Sequence, residues 1–172
     1  PADANEALIA SRMAFELNDQ PALVLLTRQG LPVFDRNIYP PAENIYKGGY
    51  IMSDCTGDPD IVIIATGSEL WVALAAMELL KGVKGRVVNL PCWEIFDAQD
   101  KKYIQDVLGP SLALRVSIEA GITTGWEHYT GLNGLNIGIN TFGESAPGKD
   151  VASHFGITPE AVAECIRKSL NS

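Results

Sequence analysis

Three short stretches carry side chains that could do chemistry, and each follows an apolar run. In the first, Thr27-Arg28-Gln29-Gly30 ends the aliphatic run 22–27. Ligands gather at the carboxyl ends of parallel strands, and the rigid fork of Arg offers two donors to one phosphate. The competing reading is an arginine exposed in a loop. In the second, the run 61–65 passes through Thr66-Gly67-Ser68-Glu69 directly into an amphipathic helix. Free N–H groups at a helix start can hold an anion. Glu69, however, puts a carboxylate where a phosphate would sit, and a Thr66–Glu69 capping box explains the same residues structurally. The Gly-rich spacing of a P-loop or dinucleotide fingerprint is missing. In the third, Ile118-Glu119-Ala120-Gly121 is followed by Gly125-Trp126-Glu127-His128-Tyr129. Glu119 and His128 suggest an acid–base couple, which would need a nucleophile or metal nearby. Neither is present in recognisable spacing, so a hydrogen-bonding or capping role for Glu119 competes.

The remaining reactive residues are sparse. His128 and His154 are the two histidines, and with Cys55, Cys92 and Cys165 they match no metal-ligand spacing. Three cysteines also make no disulfide framework and read as reduced, intracellular thiols. A formal net charge of −8 argues against nucleic-acid or anionic-membrane partners, which are themselves polyanions. No run approaches the ~18 apolar residues of a membrane span. The chain starts at Pro1 without a secretory signal, which suggests a piece of something longer.

The elements that must position these residues follow from periodicity. With 172 residues and 47% hydrophobic content, one main domain with its own core is expected. Leu8, Ile9, Met13, Ala14 and Leu17 mark one face of a helix over 5–18, capped by Asp3 or Asn5. The run 22–27 reads as a strand buried on both sides, though no neighbour for it is evident. Pro32, Pro40 and Pro41 make 30–47 an extended connector. Strands are then expected over 49–53, 61–65, 86–90, 112–119 and 135–141. Helices are expected over 69–81 and 126–129, with short ones through 108. Thr158-Pro159-Glu160 opens a closing helix with inner residues Ala161, Val162, Cys165, Ile166 and Ser169. His154 falls in the last turn of a short helix. Such alternation implies an α/β fold: a mostly parallel (mixed) twisted sheet with helices on both faces.

Taken together, the segments resemble bacterial transketolases along essentially the whole chain. The resemblance runs through Pro1-Ala2-Asp3-Ala4-Asn5-Glu6, Leu26-Thr27-Arg28-Gln29, Gly48-Gly49-Tyr50, Ile64-Ala65-Thr66-Gly67-Ser68-Glu69, Arg86-Val87-Val88-Asn89-Leu90-Pro91 and Ser117-Ile118-Glu119-Ala120-Gly121. It ends with Thr141-Phe142-Gly143-Glu144-Ser145-Ala146-Pro147, the most distinctive phrase, and Phe155-Gly156-Ile157-Thr158.

The resemblance implies a C-terminal fragment of an enzyme that moves a two-carbon ketol unit from a ketose phosphate to an aldose phosphate, in the cytoplasm, within the pentose phosphate pathway. It implies thiamine diphosphate and Mg2+ or Ca2+ held between two subunits of a homodimer, none of it expected on this fragment. The family's Gly-Asp-Gly metal motif is absent, since Gly57-Asp58 runs into Pro59. Residues 1–30 would end the pyrimidine-binding middle domain, 31–46 would be an interdomain linker, and 47–172 the C-terminal domain. Run 22–27 would then belong to a sheet lying mostly outside this chain. Arg28 matches the family's arginine for the sugar phosphate, although Gly30 stands where many members have Asn. No catalytic or metal-binding residue is expected here, and the fragment alone should be inactive. Two other readings are a module binding an anion or small regulator at Ser68, Glu119 and Gly121, and a structural dimerisation domain of another thiamine-diphosphate enzyme.

Overall fold

The computed structural model describes residues 1–171. Its centre is β2 (Ile61–Ala65), which is buried at every position. Five consecutive aliphatic or small residues with no polar alternation suit a strand covered on both faces. Its neighbours on the two sides are β3 (Gly85–Asn89) and β4 (Leu114–Ile118), both parallel to it. β5 (Leu135–Ile137) extends the sheet in parallel beyond β4, and β1 (Tyr50–Ser53) closes the other edge antiparallel to β3. The order β1-β3-β2-β4-β5 is the mixed, mostly parallel sheet expected.

Side chains alternate across that sheet and build two cores. Ile61, Ile63 and Ala65 pack on one face with Leu70, Ala73, Leu74 and Ala76 of α2 (Glu69–Leu79) and with Val162, Ala163 and Ile166 of α7 (Pro159–Leu170). Val62 and Ile64 face the other way, against Phe96 of α3 (Trp93–Asp97), Val107 and Leu108 of α4 (Lys101–Leu108), and Tyr129 of α5 (Glu127–Thr130). A further short helix, α6 (Gly148–His154), precedes α7 and carries His154 in its last turn. Thr158 caps α7 by accepting from the Ala161 N–H at 3.3 Å. The inner stripe of α7 is rotated from the expectation: Ala163 faces the core, while Cys165 is only half-buried and Ser169 is exposed. At Gly48, φ is 75° and a Cβ would stand 2.3 Å from the Phe96 nitrogen, so only glycine lets β1 approach α3.

Before the sheet, α1 (Ala4–Glu16) is capped by Asp3, whose carboxylate accepts from the Glu6 N–H at 2.8 Å. Two expectations fail in this region. The run 22–27 belongs to no strand, and Leu23, Leu25 and Leu26 are exposed. A strand interior to a sheet needs partners on both edges, and none of the described residues pairs with it. The connector 30–47 is not wholly extended either, because it ends in a 3₁₀ helix over Ala42–Lys47. The last strand stops at Ile137 instead of 141, since the Ile139 N–H turns to the Gly121 carbonyl at 2.7 Å.

Because Ile64 is completely buried in the central strand, Ile64→Ala leaves a void that rigid neighbours on both sides cannot fill. Urea unfolding of the chain is expected to show a loss of about 2–5 kcal/mol with an unchanged m value.

Candidate functional site

The connection from β2 through α2 leads to β3 on one side, and β4 then enters on the other side of β2. The carboxyl ends of β2 and β4 therefore flank the topological switch point, where open α/β sheets usually hold ligands. The Thr66–Glu69 and Glu119–Gly121 turns lie there, so the fold gathers Ser68, Glu119 and Gly121 at one rim. The capping box does not form. Glu69 instead accepts the Ser68 hydroxyl at 2.8 Å, and the start of α2 has no side-chain cap. Burial raises the Glu69 carboxyl above its ordinary range, an effect opposed by the Ser68 hydroxyl and backbone N–H groups that include Ala120. Glu119 is likewise raised, first by burial and then by the charge of Glu69. The rim thus places two carboxyls close together, Glu119 within the field of Glu69. Gly121 is shaped by the same crowding, since a Cβ there would stand 3.2 Å from Glu119 Cγ. His128 does not couple to Glu119; its Nε2 lies 3.4 Å from Asp97 Oδ2, beside the Tyr129 hydroxyl that also donates to Asp97.

A second polar cluster, which sequence reasoning missed, sits at the end of β3 on the same edge. Glu6 is fully buried. Its carboxylate accepts from the Ala2 N–H at 2.8 Å, from Asn89 Nδ2 at 2.7 Å and from the Tyr50 hydroxyl. Burial and the Glu6 charge push the Tyr50 hydroxyl far above its usual range, which keeps it a donor. Asp3 joins through Arg36, whose Nη2 donates to Asp3 Oδ2 at 2.8 Å and lies 4.0 Å from Glu6 Oε1. Arg36 Nε and Asn89 Oδ1 are buried without a hydrogen-bond partner among the described residues. Around this cluster Phe34 stacks on Trp71 at 3.9 Å, and Trp71 Nε1–H donates to the Ala2 carbonyl at 3.3 Å. No sequence signal marked this cluster beyond the Asp3 cap, because Glu6 meets partners 44 and 83 positions away.

Arg28 stands apart from both clusters, exposed on the turn after the run 22–27. The sequence has six arginines. Arg12, Arg36, Arg86 and Arg167 each hold a carboxylate, and Arg115 donates to three backbone carbonyls. Among the described residues, Arg28 is the one whose guanidinium has no such partner. No group of three or more His, Cys, Asp or Glu side chains that could hold a metal occurs among the described residues.

Comparisons with known proteins agree on one family. The model of the transketolase-like C-terminal domain matches residues 48–158. The transketolase of Aquifex aeolicus is 48% identical over 165 residues, covering 95% of this chain and 24% of that protein. Transketolase 1 of Escherichia coli is 43% identical over 164 residues, covering 94% and 25%. Among solved structures, the Pichia stipitis transketolase in complex with sedoheptulose 7-phosphate superposes with a TM-score of 0.89 at 36% identity, covering 99% of this chain and 24% of that one. The inactive β4 tetramer of a split-gene transketolase has a TM-score of 0.74 at 21% identity, a likeness of fold alone. The chain spans about a quarter of the length of the curated relatives it matches.

The rim carboxyls give a pH test. An unfolded Glu119 titrates near ~4.3, and its folded value is higher. The stability linked to its protonation is therefore fully present below the unfolded value and is lost as pH rises through the folded one. Glu119→Gln is expected to raise the thermal midpoint at neutral pH, with the gain closing toward pH ~4. A gain of the same size at both pH values would contradict the assignment.

Proposed function

The chain belongs to the transketolase family through its C-terminal domain, and from that premise we propose that it is the C-terminal part of an enzyme transferring a two-carbon ketol unit between sugar phosphates. On this reading residues 1–30 complete the pyrimidine-binding middle domain, 31–46 link, and 47–172 form the third domain. The observation that carries the functional reading is the unengaged guanidinium of Arg28, at the carboxyl end of an apolar run and open to solvent. Arg28 grips the phosphate end of the sugar, for which a two-pronged, permanently charged donor is suited. It orients the substrate and moves no proton.

The exposed Leu8, Phe15, Leu23, Leu25 and Leu26 support the same reading. We take them as contact surface for the remaining transketolase domains, since large exposed apolar groups gathered in one part of a chain mark contacts. The whole enzyme acts as a homodimer in the cytoplasm. Within this chain, no helix is long and apolar enough to cross a membrane among the described residues.

Thiamine diphosphate, with Mg2+ or Ca2+, supplies the carbanion chemistry in the whole enzyme. The residues present do not fit that group. The switch-point rim carries two carboxyls where a diphosphate would need donors, and a divalent metal would need several clustered ligands. Cofactor binding and catalysis are assigned to protein beyond this chain. Calorimetric titration of the chain with thiamine diphosphate and magnesium is expected to give no heat of binding, and micromolar affinity would overturn this division. In the full-length enzyme, Arg28→Ala is expected to raise KM for phosphorylated donors about tenfold or more while changing kcat little. An unchanged KM would remove Arg28 from the site.

A further inference from the structure

The carboxyl end of the sheet presents two large apolar side chains to water. Ile122, just after β4, is 64% exposed, and Phe142, beyond β5, is 98% exposed. The limbs that carry them are stitched together. The Ile139 N–H donates to the Gly121 carbonyl at 2.7 Å, and the Thr123 N–H and hydroxyl both donate to Asn140 Oδ1 at 3.0 Å. At Gly138 a Cβ would stand 2.6 Å from the Gly121 carbonyl oxygen, so the two backbones touch. Loops fixed in this way lose little further freedom when they are covered. Residues 140–150 are nevertheless exposed throughout.

The first residues of the chain lie on this same rim. The Pro1 carbonyl oxygen is 3.9 Å from the place a Gly67 Cβ would take, and Trp71 Nε1–H holds the next carbonyl, that of Ala2, at 3.3 Å. Two positions beyond Gly67, Glu69 accepts the Ala120 N–H, and Ala120 adjoins the stitched turn. A short path of contacts therefore joins Pro1 to the Ile122 limb. On the reading of this chain as the C-terminal part of a transketolase, the share of the relatives it leaves uncovered, about three quarters, precedes Pro1. That protein arrives beside the two loops. Charge narrows the fit, because residues 119–148 contain Glu119, Glu127 and Glu144 and neither Lys nor Arg. A face with an apolar centre and a basic margin complements such a stretch.

We propose that the loop pair 120–123 and 138–147 is the seat for protein preceding Pro1 in the same polypeptide, with Ile122 and Phe142 as apolar anchors beneath a face that carries basic side chains. This rests on the C-terminal reading. The surface is distinct from the one formed by α1 and the run 22–27, which lies before the connector. An aromatic ring held in water by a fixed loop gains much on being covered.

The test is thermal unfolding of Phe142→Asp, both in this chain and in the full-length enzyme. In the chain alone the ring is already in water, so the midpoint is expected to stay within about 2 °C. In the full-length enzyme an aspartate pressed against apolar protein is expected to lower it by about 4 °C or more. Leu132→Asp serves as control: Leu132 is fully exposed at the amino end of β5, away from the rim, and its loss is expected to change neither midpoint. An unchanged full-length midpoint for Phe142→Asp, or an equal loss for Leu132→Asp, overturns the proposal and leaves the family reading intact. Dissociation of the full-length Phe142→Asp dimer in analytical ultracentrifugation makes the occupant a second subunit and overturns it too. An intact polypeptide no heavier than this chain sinks the C-terminal reading, and the proposal with it. Should the variant fail to fold, amide exchange of the unaltered protein decides. Residues 139–147 are expected to exchange at least about tenfold more slowly in the full-length enzyme than in the chain alone, and equal rates contradict the seat.

Discussion

Two carboxylates held out of water organise the beginning of this chain. Glu6 is fully buried and Asp3 nearly so. A buried carboxylate stripped of a partner costs on the order of 3–5 kcal/mol, so each must be met by donors. Those donors come from far along the chain: the Tyr50 hydroxyl and Asn89 amide for Glu6, the Phe34 N–H and Arg36 for Asp3. Meeting them draws α1 against the edge where β1 begins and β3 ends and brings the connector back over α2. Hydrophobic contact alone would allow α1 to slide or rotate. Directional bonds to a buried charge allow one placement.

The sheet beneath is organised by burial. β2 is apolar on both faces, so it requires helices above and below, and α2 with α7 on one side and α3, α4 and α5 on the other meet that demand. The turn of the chain from one side of β2 to the other creates a switch-point rim. In this protein the rim holds Glu69, raised by burial, and Glu119, raised by burial and then by the charge of Glu69.

On the proposed reading, Arg28 is one part of a site whose surroundings belong to other protein. The other arginines are consumed by intramolecular acceptors, whereas Arg28 keeps its donors free at the end of an apolar, unpaired segment. A free guanidinium in a chain that spends its other arginines internally is consistent with a ligand that arrives from outside. The exposed leucines beside it fit the same picture, because a run able to be a central strand remains unpaired when the neighbouring strands are elsewhere.

Local pattern determined much of this protein. The extent of β2, the starts of α2 and α7, the Thr158 cap and the return of β4 were legible because helix and strand periodicity and capping act over a few residues. Resemblance to a family added Arg28 from a short phrase. What the sequence could not disclose were relations whose partners lie tens of residues apart. Neither the burial of Glu6 nor the Asp3–Arg36 closure follows from neighbours in the chain. The run 22–27 shows the converse: its composition specifies a strand, but strands exist only by pairing, and whether a pair is present is decided in three dimensions. Propensity is a property of segments, whereas buried charge and strand pairing are properties of the places where segments meet.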